Sequence, residues 1–163
     1  MNGIQGHQDL FVTLTTAAGI SDIKQKVIED KKQYIDGINN FEYWKGLTDA
    51  SERKSILYYF EDQLSAVRVG PWKFHFAIAE NYYDNLLRLS KPKIYNLRAD
   101  PFESYDSIDS NGHLIQKMSW LLAPVSEIVK QHVDTLIKYP PTQGRSTFDM
   151  TEIIEEAKTK TQQ

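Results

Sequence analysis

A short alternating run near the middle of the sequence places the strongest constraint on the fold. Between positions 72 and 78, four apolar residues alternate with three others: Trp72, Phe74, Phe76 and Ile78 with Lys73, His75 and Ala77. A period of two residues predicts a half-buried β-strand, because successive side chains of a strand point to opposite faces. Gly70-Pro71, directly before the run, predicts a turn. The chain therefore contains a sheet with an apolar face that another element must cover.

Three further segments predict the other strands of this sheet. Positions 54–60 are β-branched and aromatic, positions 64–69 alternate weakly, and positions 93–97 form another apolar run. Glu61-Asp62-Gln63 separates the first two segments as a turn would. We therefore predict a three-stranded antiparallel meander, then a mobile-looking stretch at 81–90, and then a fourth strand.

Helical periodicity precedes and follows the predicted strands. At 7–18 the apolar residues are spaced as on one helical face: Leu10, Phe11, Leu14, Ala17 and Ala18. A second helix is predicted from Ser21-Asp22, which can cap it, to Ile28. Positions 31–51 are polar and predict a connecting loop with at most one helical turn.

A long helix is predicted from about position 109 to Pro140-Pro141. Its apolar stripe consists of Leu114, Met118, Leu121, Leu122, Val125, Ile128, Val129, Val133 and Leu136. Pro124 should kink this helix, because proline removes a backbone donor and clashes with the preceding turn. A short helix is predicted at 151–158. The expected fold is α+β: a four-stranded antiparallel sheet packed against a long kinked C-terminal helix, with one or two N-terminal helices. We expect Leu121, Val125 and Ile128 to face Trp72, Phe74 and Phe76.

Composition excludes several classes of function. The 163 residues suit one globular domain, since 40% are hydrophobic. With 19 Lys and Arg against 22 Asp and Glu, the net charge of −3 gives no support for a nucleic acid or an anionic membrane as partner. No apolar stretch is long enough to span a membrane. The absence of cysteine excludes disulfides, thiolate metal sites and cysteine catalysis in this chain, and leaves its compartment open.

Several short motifs follow one another in an order that carries more information than each motif alone. The first group consists of His7-Gln8-Asp9-Leu10, Thr13-Leu14, Ala18-Gly19 and Asp36-Gly37. The second consists of Arg68, Gly70 and Trp72-Lys73, followed by Asn96-Leu97, Asp100-Pro101 and Glu103. Tyr139-Pro140-Pro141, Gln143 and Ser146-Thr147-Phe148 complete the series. In this order they resemble the closing part of the sulfatase family, the bacterial arylsulfatases in particular. The family usually has proline where this chain has Val12.

The resemblance implies a place for this chain within a larger enzyme. Residues 1–50 are expected to be remnant helices and a connecting loop of the sulfatase catalytic domain, and residues 51–163 the C-terminal α+β subdomain. The parent would be a sulfuric ester hydrolase that uses formylglycine and a divalent cation, usually calcium. Such enzymes are often periplasmic or secreted, but the compartment of this chain is not determined by its sequence.

The family's catalytic groups are not matched here. The nucleophile of these enzymes arises in a Cys/Ser-x-Pro-x-Arg motif, whereas Ser90-Lys91-Pro92-Lys93-Ile94 has isoleucine at the arginine position. Asp84-Asn85 is better interpreted as a solvated turn than as a metal-binding pair. His7, His75, His113 and His132 have no metal-ligand spacing. We expect the ring of His7 to pair with Asp9 or a nearby backbone group. We assign no catalytic, cofactor-binding or metal residue to this chain and expect it to be inactive alone.

Charged residues around the proline turn allow two interpretations. Arg68, Lys73, Arg98, Asp100 and Glu103 form either an anion-contacting edge of the sulfatase cleft or a polar latch between turn and sheet. We favour the latch, in which Arg68 and Arg98 hold Glu103 through two parallel hydrogen bonds. The tryptophans Trp44, Trp72 and Trp120 can stack on sugar rings, but a place in the core is the commoner outcome, above all for Trp72.

The predicted function is that of a structural, cleft-lining C-terminal domain whose partner is the parent's catalytic domain. Without that domain, Leu10, Phe11 and Leu14 must either fold back on the chain's own sheet or pair with a second copy, and we favour a homodimer. The alternative function is a free-standing module that binds a glycan or a protein through the aromatic loop at 81–89.

Overall fold

The computed structural model describes residues 3–61, 63–81, 83–105 and 116–140. Three helices come first: α1 (Gln8–Ala17), α2 (Ile23–Lys31) and α3 (Phe41–Trp44). Four strands follow: β1 (Ser55–Phe60), β2 (Gln63–Val69), β3 (Trp72–Ile78) and β4 (Leu87–Asn96). A 3₁₀ turn (Ser119–Leu121) then leads into helix α4 (Leu122–Lys138). The predicted α+β architecture is confirmed.

The sheet is an antiparallel meander in the order β1-β2-β3-β4. Its fourth strand is longer than predicted, because β4 begins at Leu87, inside the stretch that we expected to have no strand. A register shift between His75 and Ala77 lets the first part of β4 pair with the end of β3. As an edge strand, β4 also tolerates Pro92, which has no backbone donor to give to a neighbour.

The hydrophobic core lies between one face of the sheet and α4. Val67, Phe74 and Ile94 are neighbours across β2, β3 and β4, and each is fully buried. Val125 of α4 completes this cluster. The partly buried residues around it include Leu121 and Ile128 of the helical segment and Trp72 and Phe76 of β3. The predicted packing of the helix stripe on β3 is therefore confirmed.

The C-terminal helix departs from the prediction in its second half. Val133 and Leu136 are 43% and 39% exposed, so the apolar stripe is buried only over its first turns. The irregularity predicted from Pro124 lies in the preceding 3₁₀ turn, which contains Trp120. Proline has no backbone N–H, so Pro124 cannot donate the helical hydrogen bond to the carbonyl oxygen of Trp120. Leu114, the predicted helix start near 109–111 and the helix predicted at 151–158 lie outside the described residues.

Helix α1 buries the face opposite its apolar stripe. The residues it buries are Asp9, Val12 and Thr13, whereas Leu10, Phe11 and Leu14 are 42%, 51% and 56% exposed. The alternative in which these three side chains fold back on the chain's own sheet is therefore wrong. No helix in the described ranges is both long enough and apolar enough to cross a membrane.

Candidate functional site

A cluster of charged side chains lies on the face of the sheet that α4 does not cover. Lys73 and His75 flank Phe74 on β3, so they point to the opposite side from the core. Glu103, in the turn after β4, places its carboxylate between them. Its Oε1 is 2.5 Å from Lys73 Nζ, and its Oε2 is 2.6 Å from His75 Nε2. The carboxylate of Glu103 therefore connects the turn to two residues of β3.

Aromatic rings line both sides of this cluster. Lys73 Nζ lies 4.7 Å from the ring centroid of Tyr58 on β1, and the ring of His75 meets the ring of Tyr95 edge to face at 5.5 Å. Burial lowers the pKa of His75, and the neighbouring Lys73 lowers it further. Glu103 acts in the opposite direction, but the pKa stays below the ordinary value of 6.5. His75 therefore loses its proton more readily than a solvent-exposed histidine.

The turn that carries Glu103 is shaped by Asp100. The Asp100 carboxylate accepts hydrogen bonds from the backbone N–H of Ser104, the Ser104 hydroxyl and the backbone N–H of Tyr105. The bonds from Ser104 and Tyr105 lower the pKa of Asp100. Glu103 itself has φ = 54°, in the left-handed region that non-glycine residues rarely occupy. This backbone conformation accompanies the contact of its side chain with β3.

The predicted latch exists, but the predicted partners of Glu103 are wrong. Arg68 Nε donates to the backbone oxygen of Gly70, and Arg98 is exposed, with its backbone N–H bonded to Asn96 Oδ1. Lys73 and His75 hold Glu103 instead, because they are two residues apart on one face of β3.

The sequence segments weighed as catalytic do not form a site. Ser90 lies at an exposed position of β4, and Ile94, at the arginine position of the motif, is fully buried in the hydrophobic core. Asp84 closes an exposed turn by accepting from the backbone and side-chain N–H groups of Asn81. Within the described ranges, no group of three His, Asp or Glu side chains could hold a metal ion. These residues therefore do not fit a formylglycine and cation centre.

The other histidines lie apart from the cluster. His7 is exposed at the start of α1, and the expected pairing of its ring with Asp9 is wrong, because Arg53 and two backbone N–H groups bind that carboxylate. His132 on α4 has its Nε2 2.5 Å from the hydroxyl of Tyr59 on β1. His113 lies outside the described residues.

The three tryptophans have different environments. Trp72 packs against the core, as predicted. Trp44 is half-buried and donates its indole N–H to Gln5 Oε1, whereas Trp120 is 64% exposed, so a core position is wrong for Trp120.

Asp9 and Arg53 form a second polar centre that the sequence analysis missed. Both are almost completely buried, at 1% and 6% exposure. Arg53 also donates to the backbone oxygens of Ser55 and Asp36. Burial by itself would raise the pKa of Asp9, but hydrogen bonds from Arg53, Gly6 and Ile38 outweigh burial and lower it. Asp9 therefore stays ionised at neutral pH. One feature of the sequence could have indicated this centre: Asp9 lies on the same side of the predicted helix as Val12 and Thr13, the side that the structure buries.

A neighbouring set of uncharged polar groups continues this centre. The Asn40 side-chain oxygen accepts from the Ser51 hydroxyl and the Glu52 backbone N–H, and the Asn40 backbone N–H donates to the Thr13 hydroxyl. Asn40 Nδ2 is the buried side-chain atom in the described ranges that has no hydrogen-bond partner. Together with Arg53, these contacts join α1 to the segment that leads into β1.

The architecture and the sequence both identify the class of this protein. An antiparallel four-stranded sheet with helix α4 on one face defines a two-layer α+β domain. The family model described as the C-terminal region of aryl-sulfatase matches residues 51–161. The chain belongs to this family.

A solved structure adds a likeness in fold. The PsFucS1 sulfatase from Pseudoalteromonas sp. matches with a TM-score of 0.57 and 24% sequence identity. The match covers 76% of this chain and 27% of that chain, so the present chain spans about a quarter of that sulfatase. No curated protein matches the chain.

Proposed function

We propose that this chain acts as the non-catalytic C-terminal domain of an arylsulfatase-like sulfuric ester hydrolase, packing against the catalytic domain and lining one wall of its cleft. In this proposal, residues 1–50 belong structurally to the catalytic domain, and residues 51–163 form the C-terminal subdomain. The family match over residues 51–161 supports the second of these assignments.

The observation that carries the proposal is the two-sided character of α1. Arg53 holds one side of the helix through Asp9, while Leu10, Phe11 and Leu14 are about half exposed on the other side. Burying such a side chain fully contributes about 1.5–3 kcal/mol, so a covering surface gains appreciable stability. Since the chain spans only part of the sulfatase it resembles in fold, a catalytic domain is the partner we propose for this surface.

The catalytic groups belong to the partner in this proposal. A formylglycine and a divalent cation would be supplied by the catalytic domain, since this chain has no cysteine and carries Ile94 at the arginine position of Ser90-x-Pro92. The contribution of this chain to the cleft is the exposed face of the sheet, where Lys73, His75 and Glu103 present a fixed polar surface.

Two measurements test the proposal. The chain alone should not hydrolyse a chromogenic aryl sulfate above the buffer rate, and Ser90→Ala should leave that rate unchanged. The open reading frame that encodes the chain should contain an in-frame Cys/Ser-x-Pro-x-Arg segment, and a catalytic portion expressed from it should bind the chain. Calcium-dependent turnover by the chain alone, or a frame without that segment, would contradict the proposal.

A second candidate function rests on the loop at 81–89. Tyr83 is 94% exposed before β4 and Leu87 is 62% exposed at the first position of β4, so both present apolar surface that a glycan or a protein could contact. In this alternative the chain is a free-standing binding module. A glycan array separates the two candidates, because only the module should give binding that Tyr83→Ala abolishes and Leu47→Ala, at another exposed residue, leaves unchanged.

A further inference from the structure

Residues 3–6, which we call the strap, lie before α1 and form neither a helix nor a strand. The backbone N–H of Gly3 donates to the hydroxyl of Tyr43 on α3, at 2.7 Å. The backbone oxygen of Ile4 lies 2.6 Å from the hydroxyl oxygen of Ser51, in the segment that leads into β1. Tyr43 and Ser51 are each only 3% exposed, so the strap contacts buried polar groups from two separate parts of the chain.

The second half of the strap makes two further contacts. Gln5 Oε1 accepts a hydrogen bond from the indole N–H of Trp44 on α3. The backbone N–H of Gly6 donates to Asp9 Oδ2 on α1, at 2.9 Å. Each strap residue therefore has one polar contact with another part of the chain. Three of these four contacts use the backbone of the strap, so they depend little on its side chains.

Gly3 lies where a larger residue does not fit. An added Cβ atom would be 2.7 Å from the Cβ of Ser51 and 3.0 Å from the backbone nitrogen of Ser51. Ser51 is itself held in place, because its hydroxyl accepts from the backbone N–H of Arg53 and lies 2.9 Å from Asn40 Oδ1. The contacts around Gly3 therefore select glycine at this position of the strap.

We propose that Tyr43, Trp44 and Ser51 form a binding site for a short peptide segment, and that the strap is the segment that occupies this site within the chain. The ligand is an uncharged peptide with glycine at its first position and a side-chain acceptor at its third, as in residues 3–6. Backbone hydrogen bonds give affinity in this kind of recognition, and the position restricted to glycine gives specificity. The site belongs to α3 and the segment before β1, so it stands apart from the sheet face assigned to the cleft.

The indole N–H of Trp44 reports whether the site is occupied, and its NMR signal can be followed in the full ¹⁵N-labelled chain, which has three tryptophans. Gly3→Ala should release the strap and shift this signal, while the signal of the exposed Trp120 stays in place. A synthetic peptide with the sequence of residues 1–6 should return the Trp44 signal at millimolar concentration, because a short covalent linkage gives an effective concentration of that order. The same peptide carrying Gly3→Ala should not return it.

Gly6→Ala in the full chain is the matched control. The nearest atom to its new Cβ is Oε1 of the flexible Gln8 side chain, so the Trp44 signal should keep its original position. Two outcomes would overturn the proposal: an unshifted Trp44 signal in Gly3→Ala, or a shifted signal that the unaltered peptide does not return. If Gly3→Ala does not fold, refolding it with the unaltered peptide should recover the folded chain, and a failure to recover it would also overturn the proposal.

Discussion

Arg53 and Asp9, 44 residues apart in sequence, form a buried two-bond ion pair. Arg53 Nε lies 2.7 Å from Asp9 Oδ2, and Arg53 Nη2 lies 2.5 Å from Asp9 Oδ1. A guanidinium and a carboxylate match in this planar arrangement, so the pair fixes orientation as well as distance. This ion pair holds α1 against the segment that leads into β1, and it joins the N-terminal helices to the sheet.

Loss of Arg53 should therefore destabilise the chain strongly. We expect Arg53→Ala to lower the free energy of unfolding by about 3–5 kcal/mol, because Asp9 would be left buried with its charge uncompensated. Urea denaturation measures this change. Lys45→Ala is the matched control, since Lys45 pairs with Glu42 at the surface, and such pairs contribute less than about 1 kcal/mol. Equal costs for the two variants would show that the buried pair has no special role.

Gly37 offers a second test of the contact between α1 and the loop before α3. A Cβ atom at Gly37 would lie 2.3 Å from the backbone oxygen of Gln8, which cannot move aside without shifting α1. Gly37→Ala should therefore cost about 1–3 kcal/mol in denaturation. In Gly6→Ala the nearest atom to the new Cβ would be Oε1 of the flexible Gln8 side chain, at 2.4 Å, so the cost should stay within about 0.5 kcal/mol. If Gly6→Ala cost more stability than Gly37→Ala, the loop would not lie against α1 as described.

Helix α4 has one valine in its buried part and another in its exposed part. Val125 is 3% exposed in the core and Val133 is 43% exposed, so the same substitution should have different effects. Val125→Ala should cost about 2 kcal/mol from lost burial and the cavity left behind. Val133→Ala should cost under about 1 kcal/mol. If thermal or chemical denaturation gave the two equal costs, the packing of α4 would differ from that described.

The pH dependence of stability should report on His75. Burial and Lys73 lower its pKa below 6.5 in the folded chain, against the opposing effect of Glu103. Between that lowered pKa and 6.5, the unfolded chain binds protons more readily than the folded chain. The free energy of unfolding should therefore fall as pH is lowered through this window. Other groups that face His75 are Lys93 and Tyr95 on β4, and neither is altered in the comparison below.

The variant His75→Gln isolates this contribution. Glutamine can still donate to Glu103 but does not titrate, so the stability of the variant should depend less on pH below 6.5. Urea denaturation of both proteins at a series of pH values gives the difference. Parallel curves for the two proteins across this range would exclude His75 as the source.

The helices and strands that could be predicted are those whose pattern of apolar residues repeats within a few positions. The alternation around Phe74 predicted β3, and the stripe containing Val125 predicted the helix that covers it, because both patterns follow from local geometry. The start of β4 was missed because Pro92 interrupts the segment, although Leu87 and Leu89 alternate with polar residues as in a strand. Pairing with the end of β3 after a register shift places these residues at the sheet edge.

The polar contacts were less predictable, since each joins distant parts of the chain. The sequence predicts that Glu103 binds arginines. The direction of the Glu103 side chain, however, depends on its left-handed backbone and on the hydrogen bonds that Asp100 accepts inside the turn. The partner of Asp9 lies 44 residues away, and no spacing rule links it to Arg53. A contact of this kind depends on how helices and strands pack, which local sequence patterns do not specify.

Self-association through α1 is the last prediction. Leu10, Phe11 and Leu14 form an exposed apolar stripe, and we propose that a second copy of the chain covers it when no catalytic domain is present. A two-fold arrangement of the helices is the simplest way for one stripe to cover the other. Size exclusion with light scattering should give twice the monomer mass at high concentration, and Leu10→Asp with Leu14→Asp should restore the monomer. Leu87→Asp, at an exposed leucine of β4, is the control and should leave the dimer intact. A monomeric mass at every concentration, with or without the α1 substitutions, would exclude this dimer.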